Sequence, residues 1–223
     1  MENGSCIRMK DSGLRGNIMS IKHLAVSLCV LVLLGCSEQV GSEAPQNGPE
    51  STYRSIAVVV PKHYDAWVDT LIFESRSEDI GWRAPIGIIT CCWREPSGKH
   101  AEWQAMPELV LIKWFSFAEQ QSYEALIHLK NADEIEEKMK EIAPFESFGE
   151  IAEYPRDALV FGLAPGGTVV VWIMNRGENA IEVGRYEAKP YNNEKSDYSQ
   201  WVDEYLEKEG EYLRENGIKL DGW

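Results

Sequence analysis

Residues 158–174 read Ala-Leu-Val-Phe-Gly-Leu-Ala-Pro-Gly-Gly-Thr-Val-Val-Val-Trp-Ile-Met, and this stretch decides the fold. Ala158–Leu163 and Thr168–Met174 are apolar runs of strand length, rich in β-branched and aromatic side chains. Between them Pro165 pre-sets its own φ, and Gly166-Gly167 accept positive φ without a Cβ penalty, so the spacing predicts a β-hairpin. Neither run alternates with polar residues. A strand with one wet face alternates, whereas a strand covered on both faces does not. The hairpin is therefore expected at the centre of a sheet with a layer on each side.

Working outward, Asn175-Arg176-Gly177-Glu178-Asn179 turns into a further strand, Ala180–Tyr186. Upstream, Ser55–Val60 is a β-branched run ended by Pro61, and Trp67–Phe73 is rich in strand formers. Ile86–Trp93 is apolar almost throughout and stops at the turn Glu95-Pro96-Ser97-Gly98; Leu109–Phe117 and Tyr123–Leu129 follow. Trp114-Phe115-Ser116-Phe117 carries rings on both strand faces, so at least one face must pack against a second layer or a partner.

Two segments switch to helical spacing. Asp133–Ile142 places Ile135, Met139 and Ile142 on one face and acids on the other. Tyr198, Trp201, Val202, Tyr205, Leu206, Tyr212 and Leu213 form a longer stripe, with Ser196 or Asp197 as cap and Asn216-Gly217 as stop. Gly210 interrupts that stripe at about 1 kcal/mol relative to alanine, which invites a bend. The predicted fold class is β-rich α+β: one antiparallel β-sandwich-like domain over residues 53–223 with two packed helices.

The other end of the chain has a different composition. An eleven-residue apolar run from Leu24 to Leu34 follows Lys22 and His23 and leads into Gly35-Cys36. A membrane span needs about 20 apolar residues, so this length suits the core of a signal peptide. The layout resembles the leader and lipobox of bacterial lipoproteins. That resemblance implies acylation of Cys36 (palmitate among the acyl groups), cleavage between Gly35 and Cys36, and N-acylation of the new terminus. Residues 1–35 are the expected lipoprotein signal peptide. Glu2 and Asp11 are foreign to a basic leader, so residues 1–18 read as an overcalled start and Met19 as the true one. Residues 36–52, rich in Ser, Gly, Pro and Glu, read as a flexible acidic tether spanning roughly 20–25 Å. Ser37 after the lipidated cysteine resembles the choice that sends such proteins to the outer membrane, with the domain facing the periplasm. The expected partner at this end is the lipid bilayer.

Residues 1–35 hold four basic and two acidic side chains; removing them from 22 and 36 leaves 18 and 34, a formal charge of −16 against −14 for the whole chain. Such acidity argues against nucleic acid, whose phosphates it repels. It suits a basic protein partner or simple solubility. Of five cysteines, Cys6 and Cys29 leave with the leader and Cys36 is consumed by lipid. Cys91 and Cys92 remain, adjacent in sequence. Trans neighbours sit about 3.8 Å apart, short of the roughly 4.4–6.8 Å that disulfides prefer, and strand neighbours point to opposite faces. Two free, mostly buried thiols are expected.

Conventional catalytic motifs are missing: no Gly-x-Ser-x-Gly elbow, no His-Glu-x-x-His helix, no phosphate loop and no paired Cys-x-x-Cys. His63, His100 and His128 are far apart in sequence, and nothing in their spacing favours a metal. His128, between Ile127 and Leu129, should point to solvent. Glu134, Glu136, Glu137 and Glu141 read as a solvated helix face supported by Lys138 and Lys140. Gly166-Gly167 could form an anion-binding nest but reads as a turn. Trp93, Trp103, Trp114, Trp172 and Trp201 read as core. No catalytic residue, cofactor or metal is expected.

Four blocks together resemble an uncharacterised family of bacterial lipoproteins, classed as a domain of unknown function. They are Cys91-Cys92-Trp93, Lys113–Tyr123, Gly162–Gly167 with Val169–Trp172, and Ile181–Tyr186. The resemblance covers roughly residues 54–223, and its motifs are turns and strand cores. It implies no enzyme activity. Some small periplasmic lipoproteins of similar design are immunity proteins that block type VI secreted lipase effectors. The expected function is a membrane-anchored, non-enzymatic binding module, with an immunity protein as its sharpest form. The rivals are an envelope enzyme, marked by a cleft gathering Glu119, Gln120 and Cys91 or Cys92, and a structural envelope lipoprotein.

Overall fold

The computed structural model describes residues 54–223, so the expected signal peptide, Cys36 and the whole segment read as a tether lie outside the described residues. Along the chain come β1 (Ser55–Val59), β2 (Ala66–Ser75), β3 (Ile80–Arg83), β4 (Gly87–Ile89), β5 (Lys99–Glu102), β6 (Leu109–Ser116) and β7 (Gln121–His128). Helix α1 (Ala132–Lys140) precedes β8 (Ile142–Ser147), β9 (Glu150–Pro155), β10 (Ala158–Leu163) and β11 (Thr168–Met174). The chain then runs through β12 (Ile181–Glu187), β13 (Lys189–Tyr191) and helix α2 (Ser199–Asn216).

The hairpin forms where the sequence marks it. Ala158 lies opposite Met174 and Leu163 opposite Val169, and Gly166 and Gly167 both adopt positive φ in the turn. Both strands are covered on each face. Leu159, Phe161, Leu163, Val169, Val171 and Ile173 enter the main core. Ala158, Val160, Val170, Trp172 and Met174 point the other way and are covered by Trp93 and Ala180. The hairpin sits in a five-stranded sheet ordered β12-β11-β10-β1-β5. The second sheet runs β13-β7-β6-β2-β3, with β4 and β3 pairing different halves of β2. Phe73 of β2 and Phe161 of β10 meet in the core between them, ring centroids 6.2 Å apart. Each large side chain buried there contributes about 1.5–3 kcal/mol.

The expected second layer on the aromatic strand is α2. Trp114 faces the main core, while Phe115 and Phe117 pack on Tyr198, Val202 and Tyr205. α2 runs unbroken through Gly210. Asp197 accepts a hydrogen bond from Ser199 N, and Gly217, at φ 71°, donates to Leu213 O. α1 sinks Ile135 and Met139 into the main core. Beyond α2 the chain crosses to the five-stranded sheet. Lys219 N donates to Tyr64 Oη, and the Trp223 ring lies 5.6 Å from Trp93.

The structure corrects the sequence reading at four places. β1 and β10 are parallel, Ser55 opposite Ala158, so the sandwich is not wholly antiparallel. Ile86–Trp93 is strand only at Gly87–Ile89, with Cys92 bridged singly to Val60. Cys91 and Cys92 form a disulfide instead of two free thiols. Side chains alternate between faces only within a strand, and Cys91 and Cys92 lie outside any, so the two sulfurs can meet. Finally, Ile142 is not the third rung of α1 but the exposed first residue of β8. The sequence reading places no strand at β3, β5 and β13, which are short, or at the β8–β9 hairpin, which lacks a regular alternation.

Candidate functional site

The sequence-nominated residues resolve into structural roles. His128 is exposed, as its neighbours require. Among the described residues no three His, Cys, Asp or Glu side chains converge as metal ligands, and no helix is long and apolar enough to cross a membrane. Glu119 accepts hydrogen bonds from Tyr123 Oη (2.7 Å) and from Gly166 N (3.0 Å). The glycine turn therefore holds a carboxylate of its own chain. Burial, reinforced by Glu119, pushes the Tyr123 hydroxyl well above its ordinary range. Gln120 stands exposed at the β6–β7 turn, and Cys91 and Cys92 are committed to each other.

A partly buried ionic group ties α2 to the β1–β2 loop. Glu209 bonds His63 Nδ1 (2.6 Å) and Lys208 Nζ (3.1 Å), and Lys208 also reaches Asp65 (3.2 Å). Burial drives Glu209 up, but the bonds from His63 and Lys208 outweigh it and hold the carboxyl below its usual value. Burial wins at Asp65, whose carboxyl is raised. Its carboxylates are buried while Lys208 lies at the surface, and with His63 stacked on Tyr212 at 3.8 Å the group reads as a staple.

Two surface features remain. The first is the β8–β9 hairpin. Its root is clamped by Asn175, whose Nδ2 donates to Tyr154 O (2.9 Å), Pro155 O (3.1 Å) and Ala143 O (3.3 Å). Ala143 and Phe145 turn inward, and Ile142, Pro144 and Ile151 stay outside. At the tip Phe148 and Gly149, with φ 53° and 82°, form a two-residue turn between the paired Ser147 and Glu150. A bulky side chain in that conformation is an outlier costing roughly 1–2 kcal/mol. Phe148 is nevertheless fully exposed, at 105% relative accessibility. Of eight exposed large apolar side chains among the described residues, Ile142, Phe148, Ile151 and Tyr154 lie here, so the apolar surface is concentrated on this hairpin. Glu146, Glu150 and Glu153 rim it, and residues 142–155 contain no Lys or Arg.

The second feature is a groove of about 450 Å³ between the β6–β7 turn and the 190–198 loop, lined by Gln120, Gln121, Tyr191, Asn192, Asn193 and Tyr198 among others. Behind it a bulge in β2 inserts Asp69 between Val68 and Thr70. Bulges re-aim side chains, and Asp69 Oδ2 accepts from Tyr198 Oη (2.5 Å) and Asn193 Nδ2 (3.3 Å). Burial, helped by the Asp69 hydrogen bond, leaves the Tyr198 hydroxyl pushed up to about 12. Burial also raises Asp69, and hydrogen bonds from Tyr198, Asn193 and Trp67 only partly offset it. A raised folded pKa means that the native state binds more protons between the unfolded and folded values, so stability falls as pH rises through that window. Relative to Asp69→Asn, the wild type should therefore gain stability as pH falls from 7 toward 4. Urea titrations of both proteins at several pH values read this directly; a constant difference would reject a raised Asp69.

Sequence reasoning missed both features. Phe148-Gly149 is not one of the turn pairs that mark a hairpin in sequence, so only Gly149 hints at it; the bulge at Asp69 had no signal. No curated protein and no solved structure matches the chain. The family model described as a protein of unknown function (DUF2931) matches residues 40–221, starting inside the segment read as tether. With more than half of its length matched, the chain belongs to that family of proteins of unknown function, DUF2931.

Proposed function

We propose that the protein is a membrane-anchored periplasmic lipoprotein, held at the outer membrane through acylated Cys36, that acts as a non-enzymatic binding module. Its β8–β9 hairpin is the docking element. The single observation that carries this reading is Phe148: fully exposed, in a conformation glycine or asparagine would adopt at less cost. A residue that is unfavourable for both backbone and solvation is expected where function requires it. The rim of Glu146, Glu150 and Glu153 selects the occupant, a protein with an apolar pocket bordered by Lys and Arg. Anionic headgroups would repel the same rim, which argues against insertion into the bilayer. In its sharpest form the module is an immunity protein, the hairpin plugging the active-site mouth of a lipase effector that attacks the same membrane.

Phe148→Asn tests this on the full chain in cells. Asn-Gly is the preferred pair for such a turn, so the variant should fold as well or better, by about 1 kcal/mol. It should nonetheless leave cells as sensitive as a deletion strain to kin carrying an effector encoded beside the gene. A deletion strain that survives competition unchanged rejects immunity; full protection by Phe148→Asn rejects the hairpin. A photo-reactive residue at position 148 separates the alternatives, since adducts to lipid instead of protein would overturn the protein partner.

A further inference from the structure

The groove beside the 190–198 loop has a lining unlike the rest of the chain. Charged residues make up 26% of the sequence, yet none of the ten lining residues is Lys, Arg, Asp or Glu. Its volume of about 450 Å³ lies within the roughly 300–1,000 Å³ of small-molecule sites. The walls are amides, hydroxyls and aromatic rings, and several are held in place from behind. Asn193 Nδ2 reaches Asp69, Ser196 Oγ (3.1 Å) and Tyr198 Oη (2.9 Å), which turns its Oδ1 away from all three. Gln121 Nε2 donates to Ser122 O and Tyr191 O, leaving Oε1 as an acceptor. Gln120 stands at the rim, at φ 50° and exposed.

We propose that this groove binds a neutral saccharide, one or two sugar rings of a longer chain. Fixed amide acceptors at Asn193 and Gln121, with the Gln120 amide at the rim as a donor, suit vicinal hydroxyls, each of which can both give and receive a hydrogen bond. Lys113 lies over one face of the Tyr191 ring, and its edge or other face is what the C–H side of a sugar can lie against. No lining residue is charged; the nearby Lys113 pairs with Glu124 and Asp69 is engaged by Tyr198 and Asn193, so neither an anion nor a cation finds a free counter-charge in the wall. A wholly apolar ligand would leave the polar lining unpaired. The groove shares no residue with the hairpin.

The test is calorimetric titration of the full-length lipoprotein in detergent with two neutral probes, an N-acetylglucosamine tetramer and a glucose tetramer. The first represents acetylated wall glycan, the second unacetylated polysaccharide. Saturable binding of either is expected, weakened about tenfold by Gln120→Ala and by Tyr191→Leu. Gln120 is exposed, so its variant should fold as the wild type does, and Phe148→Asn should bind the sugar unchanged. No saturation with either tetramer up to about 10 mM, or equal binding by wild type, Gln120→Ala and Tyr191→Leu, would overturn the proposal.

Discussion

Alanine at position 162 should destabilise the fold by about 3 kcal/mol, the upper end of what overpacking usually costs. Gly162 lies in β10, buried, on the face turned toward Trp93 and Trp172. A Cβ there would stand 2.5 Å from Trp172 Cζ3 and 2.6 Å from Trp93 Cζ3. Neither ring has an easy retreat. Trp172 is fixed by β11, with its indole 5% exposed. Trp93 packs edge-on against Trp172 at 4.9 Å and against Trp223 at 5.6 Å. Moving Trp93 would disturb the disulfide loop that bridges to Val60 and would strip cover from the five-stranded sheet. Gly81→Ala is the matched control, because its Cβ would meet nothing closer than Phe73 O at 3.5 Å. Urea denaturation of both variants decides the matter. Gly162→Ala within about 0.5 kcal/mol of Gly81→Ala would show that the indole layer yields easily.

The second large effect is expected at Asn175. Removing its side chain leaves the carbonyls of Ala143, Tyr154 and Pro155 without their donor and breaks the bond to Asn179. Each buried acceptor left unpaired costs about 1–3 kcal/mol, so Asn175→Ala should cost about 2–3 kcal/mol after solvent reaches the more exposed carbonyls. Asn175→Asp should be worse despite its equal size, since a carboxylate would face three oxygens. The loss should also be local. Hydrogen exchange across residues 142–155 should accelerate more than exchange in β10 and β11. If Asn175→Asp is tolerated, or exchange rises uniformly, Asn175 does not clamp the hairpin root. The docking reading adds that Asn175→Ala should weaken partner capture although Phe148 itself is not substituted.

What the sequence revealed, and what it hid, divides along physical lines. The β10–β11 hairpin was legible to the residue, because turn chemistry and doubly apolar strands agree. α2 was legible because its stripe spans five turns and ends at Gly217. Asp133–Ile142 was overread, since one apolar residue at the seventh position looks the same whether it closes a helix or opens a strand. Ile86–Trp93 was overread because apolar content is not pairing; the segment leaves the sheet after Ile89. β3, β5 and β13 are three or four residues long, below what periodicity can detect. The sites were harder. Phe148 is conspicuous only once its backbone and exposure are known, and Asp69 only once the β2 bulge is seen. Cys36, the residue with the sharpest motif, lies outside the described residues.

The parallel pairing of β1 with β10 has a kinetic consequence. Ser55 cannot meet Ala158 until the hundred-odd residues between them have been brought into register. Until then the middle of the five-stranded sheet has no parallel neighbour to build on. Closing so large a loop before any contact rewards it makes folding slow, on the scale of milliseconds to seconds. A slow folder remains threadable while it waits. On the proposed reading as an exported lipoprotein, a topology that joins one end to the far middle would delay collapse until the chain had crossed the membrane.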